Sequence, residues 1–176
     1  MITSKLDSDF ISQAVEEDAW KELSGELAWS GQMLEKYQDK VDWEEVSDNS
    51  NIVWTVPMLE KFKNRLDWKC LSRRGDSYLY TAENLERFKN YWDWEELSNN
   101  SSVPYSYELI DKFIDYWNWG ELINCYGINK EFYSEDFLKH YEAYIPASRL
   151  QDTKLWDAMV DRCRKKIVSS ITGSCE

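Results

Sequence analysis

A chain of 176 residues, 43% of them hydrophobic, is long enough for a sizeable core and too apolar for a disordered tail. Ten Trp, eleven Tyr and six Phe against six Gly and three Pro disfavour a turn-rich sheet sandwich and point to helices. The formal net charge is -12, and residues 1–60 alone hold 14 acids against 4 bases, a balance that disfavours binding to nucleic-acid phosphates or anionic lipid.

The opening stretch, Met1 to Asp7, contains no apolar run of signal-peptide length. No segment approaches the roughly 18 apolar residues of a membrane span. A cytoplasmic protein, of the producing cell or its host, is the expectation.

From residue 7 onward the sequence repeats. Ser30 to Trp43, Thr55 to Trp68, Thr81 to Trp94 and Ser106 to Trp119 each place a hydroxyl residue 13 positions before a tryptophan. Asp7 to Trp20 is a degenerate copy, with Phe10, Ile11 and Ala14 in the apolar slots. Ser134 to Ala147 is another, keeping Leu138 and Tyr141 but not the tryptophan. Successive junction tryptophans are 23, 25, 26 and 25 residues apart. A period in this range implies stacked supersecondary units with atypical terminal copies.

Each unit predicts two helices. Ser30, Thr55, Thr81, Ser106 and Ser134 are N-cap residues of the first. An aromatic precedes each cap (Trp29, Trp54, Tyr80, Tyr105, Tyr133), the outer half of a hydrophobic staple whose inner half is Leu34, Leu59, Leu85, Ile110 or Leu138. Apolar residues three, four, seven and eleven after the cap mark one helical face, and Pro57 sits in a first turn, where its missing N–H is tolerated. Asp42, Asp67, Asp93 and Asn118 cap the second, shorter helix, with tryptophan at its first position and Val46, Leu71, Leu97 or Leu122 three residues on. Glu45, Glu96 and Glu121 are placed to complete a capping box, which Cys70 breaks. The run from Leu97 to Ser102 reads as loop. After Pro146 a different helix, roughly Lys154–Ile171, is expected to close the stack through Trp156, Met159, Cys163 and Ile167, with a basic end of Arg162, Arg164, Lys165 and Lys166.

The expected fold is therefore all-α: short helix-pair repeats of about 25 residues stacked as a compact α-solenoid with a C-terminal capping helix. Six units are expected over residues 1–152, then the capping helix and tail over 153–176, all in one structural domain.

The segments Asp42-Trp43-Glu44-Glu45-Val46-Ser47, Asp67-Trp68-Lys69-Cys70-Leu71-Ser72 and Asp93-Trp94-Glu95-Glu96-Leu97-Ser98 resemble the Asp-Trp-x-x-Leu-Ser helical repeats of proteins from large viruses and from Bacteroidota and their mobile elements. Asn118-Trp119-Gly120-Glu121-Leu122-Ile123 departs from that pattern at both ends. The resemblance spans nearly residues 7–151. It implies helical repeats and no catalytic or ligand residues.

The residues themselves offer no catalytic constellation. Glu44-Glu45 and Glu95-Glu96 are paired carboxylates, but they recur at a repeat position where capping explains Glu45 and Glu96. His140 occupies a helix position held by Lys36, Lys61, Arg87 and Lys112 in other units, as a surface residue would. Cys70, Cys125, Cys163 and Cys175 lack metal-ligand or disulfide spacing, so no metal and no cofactor is expected. What remains is surface. Glu16, Glu17, Asp18, Glu22, Glu26, Glu44, Glu45 and Asp48 form the candidate partner-binding face, and Lys61, Lys63, Arg65, Lys69, Arg73 and Arg74 a local basic cluster.

These features predict a non-enzymatic repeat protein that binds another protein, with neither nucleic acid nor membrane as direct partner. The habitat and size of the resembling proteins imply an inhibitor from a phage or mobile element. Its target would be the basic nucleic-acid-binding surface of a bacterial defence nuclease, in the manner of an anti-CRISPR protein acting on the type VI-B RNA-guided ribonuclease system. A cellular scaffold or adaptor linking proteins is the alternative.

Overall fold

The structure, a computed structural model, describes residues 8–173; Asp7, the expected first cap, and Cys175 lie outside the described residues. Among those described the chain is all-α, with no strand. The helices are α1 (Ser8–Glu26), α2 (Gly31–Tyr37), α3 (Trp43–Asp48), α4 (Val56–Phe62), α5 (Trp68–Arg73), α6 (Ala82–Arg87), α7 (Trp94–Ser98), α8 (Tyr107–Lys112), α9 (Trp119–Leu122), α10 (Glu135–Tyr141) and α11 (Lys154–Thr172). Single 3-10 turns occupy Ser77–Leu79 and Ala147–Arg149. The chain divides into two compact units, residues 1–71 and 72–176, and the division falls inside α5.

Helices of four to seven residues cannot persist alone in water, so both ends of each must be fixed by something else. Ser30, Thr81, Ser106 and Ser134 accept a bond from the N–H three residues on, at 3.3, 3.2, 3.2 and 3.1 Å. Thr55 has the extended cap backbone but makes no side-chain cap bond, in a turn where Pro57 has already removed one donor. Each second helix starts on a carboxylate or amide that accepts two amides at once. Asp42 takes the N–H of Glu44 and Glu45, Asp67 that of Lys69 and Cys70, Asp93 that of Glu95 and Glu96, and Asn118 that of Gly120 and Glu121.

The expected capping box does not form, because the cap's own N–H is already engaged by the preceding repeat. Asp42, Asp67, Asp93 and Asn118 donate it to the hydroxyls of Ser24, Ser47, Ser72 and Ser98, at 2.9, 2.9, 2.9 and 2.8 Å. All four serines are fully buried. Ser24, Ser47 and Ser98 in turn donate to the carbonyl of the tryptophan four residues earlier, each at 2.6 Å. The serine that ends one Trp-x-x-Leu-Ser run thus positions the cap that starts the next, with its donor and acceptor capacity both used.

Aromatic side chains complete the seam. The indole N–H of Trp43, Trp68, Trp94 and Trp119 donates to the carbonyl five residues back, at 2.9, 2.8, 2.9 and 3.2 Å. The rings face the next repeat: Trp43 on Phe62, Trp94 on Phe113 and Trp119 on Tyr141, with centroids 5.2, 5.2 and 4.9 Å apart. Four of the five aromatics before the caps are tied by their polar ends. Trp29 donates to the Leu23 carbonyl, Tyr80 to Arg74, Tyr105 to Leu97 and Tyr133 to Leu122, each reaching carbonyls near the end of the preceding helix. Burial raises the hydroxyl pKa of all three of these tyrosines well above the ordinary value.

The Leu97–Ser102 stretch, read as loop, contains a further buried connector. Asn100 donates to the carbonyls of Ser72 and Arg74 at 2.8 and 2.9 Å and accepts from the N–H of Ser102 at 2.8 Å. Asn49, two residues after Ser47, does the same for the carbonyls of Ser24 and Leu27, at 2.8 and 2.7 Å. Arg74 fills that register two residues after Ser72 and is buried against Asp76 at 2.6 Å.

Two terminal expectations are corrected. The copy from Asp7 to Trp20 is not a helix pair: α1 runs unbroken through it, since Ala19 stands where a cap would be and offers no oxygen to start a second helix. Its supposed core residues Phe10 and Ile11 are 71% and 37% exposed. At the other end, α11 has nearly the expected bounds, capped by Thr153 on the Trp156 N–H at 3.2 Å, but it packs by another face. Leu155 and Ala158 are its buried residues, whereas Trp156, Cys163 and Ile167 are exposed.

Candidate protein-binding surface

The eight acids singled out in the sequence all lie in the N-terminal unit, on α1 and α3, and these two helices pack together. The approach is close at Gly25, where a Cβ would stand 3.3 Å from a Glu45 carboxylate oxygen. A glycine there lets α1 lie against the first turn of α3 and brings the two acidic stretches onto one surface.

Their surroundings differ. Glu16 takes hydrogen bonds from Lys40 at 3.0 Å and the Trp20 indole at 3.3 Å, and the lysine, chiefly, holds its carboxyl below the usual range. Glu17 accepts from Gln13 at 2.8 Å. Glu16, Glu17 and Asp18 border an open groove with Trp20, Lys21, Asp39, Lys40 and Asp42. Asp18, Glu22 and Glu45 share a shallower depression around Lys21, whose ammonium lies 3.6 Å from Glu45. Glu26, Glu44 and Asp48 line neither hollow and stand exposed on the same two helices.

Sequence reasoning missed the apolar part of this surface. Phe10, Ile11 and Val15 are 71%, 37% and 64% exposed, directly preceding Glu16, Glu17 and Asp18. The signal was present in their spacing. With 3.6 residues per turn, Ile11 and Val15 fall on the side of α1 opposite Trp20 and Ser24, which make the repeat seam, whereas Phe10 lies on nearly the same side as Ser24, almost four turns earlier. Placement in the repeat's apolar slots outweighed that pattern.

Four cations of the basic cluster are already paired with acids. Lys61 pairs with Glu35 at 2.6 Å, Lys63 with Glu60 at 3.3 Å and Arg65 with Asp39 at 3.1 Å, while Arg74 is buried with Asp76. Lys69 and Arg73 are exposed.

Glu44-Glu45 and Glu95-Glu96 serve the helix starts through their backbone N–H groups. His140 is exposed and lies 3.2 Å from an Asp111 carboxylate oxygen, which also accepts the Tyr141 hydroxyl at 2.9 Å. Cys70 and Cys125 are buried thiols and Cys163 is exposed. Among the described residues no group of three His, Cys, Asp or Glu side chains is placed to hold a metal, and no helix is long and apolar enough to cross a membrane. No family model, curated protein or solved structure matches the chain.

Proposed function

We propose that this chain is a non-enzymatic protein-binding repeat protein whose α1–α3 face docks on a basic surface of its partner. The observation that carries this reading is the pairing on α1 of exposed Phe10, Ile11 and Val15 with the acids that follow them. An apolar centre beside a charged rim is the usual anatomy of an interface. A second feature supports it. Glu22 and Glu26 lie in the last turns of α1, which holds no basic residue in its last turn, so both oppose the helix dipole. Acids placed against local helix stability suit an external role better than a structural one.

The narrower reading is an inhibitor, encoded by a phage or mobile element, that covers the nucleic-acid-binding surface of a defence nuclease. Its support is the acidic face, complementary to such a surface, and the repeat resemblance.

Replacing Asp18, Glu22 and Glu26 together with lysine separates binding from folding. The two C-terminal changes should each favour α1 by about 0.3–1 kcal/mol, since lysine there complements the dipole. Association with a protein captured from a bacterial host at low salt should nonetheless slow steeply, because exposed rim charges act mainly on the encounter rate. A variant that folds as well as the parent and associates equally fast would rule out this face.

A further inference from the structure

The C-terminal helix α11 is amphipathic twice over. One side is fixed to its own unit: Leu155 and Ala158 are buried, the Leu155 N–H donates to the Ile123 carbonyl at 3.0 Å, and Arg162 holds the carbonyls of Tyr133, Lys130 and Glu131. Lys130 pairs with Asp161 at 2.9 Å and Lys166 with Glu135 at 2.6 Å. The basic residues Arg162 and Lys166, read from the sequence as a basic end, are thus anchors.

The opposite side carries a second apolar stripe, Trp156, Val160, Cys163, Ile167 and Ile171, at spacings of four, three, four and four. Trp156, Val160, Ile167 and Ile171 are 37%, 40%, 52% and 78% exposed, and Cys163 is exposed too. The alternation of four and three is the helix-pairing repeat, with β-branched Val160 and Ile167 seven residues apart in one register and Trp156 and Cys163 in the other. The stripe runs about 22 Å at 1.5 Å per residue. Residues 163–173 are exposed throughout, so among the described residues of the unit none shields its second half.

We propose that this stripe is a self-association surface on which α11 of a second copy packs antiparallel. Charge selects this occupant and this direction. Asp157 and Arg164 follow Trp156 and Cys163 by one residue each, so they flank the stripe on the same side, seven residues apart and opposite in sign. An antiparallel pair about a two-fold axis brings Asp157 of each copy to Arg164 of the other, twice. A parallel pair sets like residues side by side and leaves these charges unmatched. The same axis places Trp156 against Ile167 and Val160 against Cys163, a large residue facing a branched one and a branched one facing a small one. The stripe belongs to a helix other than α1 and does not rest on the partner-binding reading.

The test is sedimentation of the full chain over a concentration series, with Cys175→Ser throughout so that Cys163 is the accessible thiol for a short bismaleimide. The parent should form a dimer that the reagent links through Cys163. Val160→Glu with Ile167→Glu, both at exposed positions, should leave the circular dichroism unchanged and abolish both dimer and cross-link. Asp157→Arg alone and Arg164→Asp alone should each weaken the dimer by about threefold or more, since each change sets like charges together at two places. The double exchange should restore it. A chain that stays monomeric at every concentration, a dimer indifferent to Val160→Glu with Ile167→Glu, or single exchanges that the double does not rescue would each overturn the proposal. So would a monomer that instead binds vesicles containing phosphatidylserine through the same residues.

Discussion

Trp20-Lys21-Glu22-Leu23-Ser24 and Trp94-Glu95-Glu96-Leu97-Ser98 follow one pattern, yet the first lies inside a helix of 19 residues and the second forms a helix of five. Their C-terminal ends behave alike: each serine donates to its tryptophan carbonyl at 2.6 Å and accepts the N–H of the next cap. Their N-terminal ends do not. Asp93 takes two amides and frees the Trp94 indole to bond the Lys89 carbonyl, whereas Ala19 has no acceptor and the Trp20 indole turns to the exposed Glu16 side chain. The repeat is therefore two devices, a cap that starts the short helix and a serine that joins it to the next unit. They can be lost independently.

The tryptophan itself should show the largest difference. The Trp94 ring lies 5.0–5.2 Å from Phe113, Tyr116 and Trp117, so Trp94→Ala should cost about 3–5 kcal/mol, the usual range for truncating a packed aromatic. Trp20 is also half-buried, but its nearest ring, Tyr37, is 5.5 Å away and its indole bond goes to a solvated carboxylate. Trp20→Ala should cost distinctly less in the same urea melts. Equal losses would mean that the junction geometry adds nothing to ring burial.

The serines should behave in the opposite way. Ser24→Ala and Ser98→Ala each strand one buried cap N–H, at about 1–3 kcal/mol for a buried group left unpaired. Both should destabilise to a similar degree, because the seam is the same in the two places. A loss at Ser98 with none at Ser24 would show that the seam depends on the cap preceding its tryptophan.

Much of the fold was legible because the caps and the apolar face depend on residue type at fixed spacing. Leu34, Leu59, Leu85 and Ile110, four residues after their caps, are all fully buried. The seam was not, although its serine recurs four residues after Trp20, Trp43, Trp68 and Trp94. A serine after a leucine looks like a helix end, and only its burial shows that it meets a residue some 20 positions on. Register also hid the outer faces. Phe10 and Ile11 matched the repeat, and Trp156, Cys163 and Ile167 matched an amphipathic helix, but periodicity does not say which of two faces is covered. The acidic residues were found and their apolar neighbours were not, because charge announces exposure and hydrophobicity announces burial. Ile123 shows a departure with a clear consequence: where a serine would receive the next cap, isoleucine is fully buried and its carbonyl takes the N–H of Leu155 in α11.

The cap exchange is the smallest effect and isolates the first device. Asp93→Ala removes the acceptor for the Glu95 and Glu96 amides, 3.1 and 3.0 Å away, and should cost about 0.5–2 kcal/mol. Asp93→Asn should stay within a few tenths of the parent, since Asn118 serves α9 in the same role at 3.1 and 3.3 Å. The reciprocal change, Ala19→Asp, should not install a junction. Within α1 the amides at positions 21 and 22 are interior to the helix and already bonded to carbonyls four residues back, so an aspartate finds no free donor. It pays only the propensity difference from alanine, under about 0.7 kcal/mol, and far-UV circular dichroism should be unchanged. A marked fall in helicity with Ala19→Asp would show that one carboxylate suffices to break α1 into a pair, making the cap alone the determinant of the repeat.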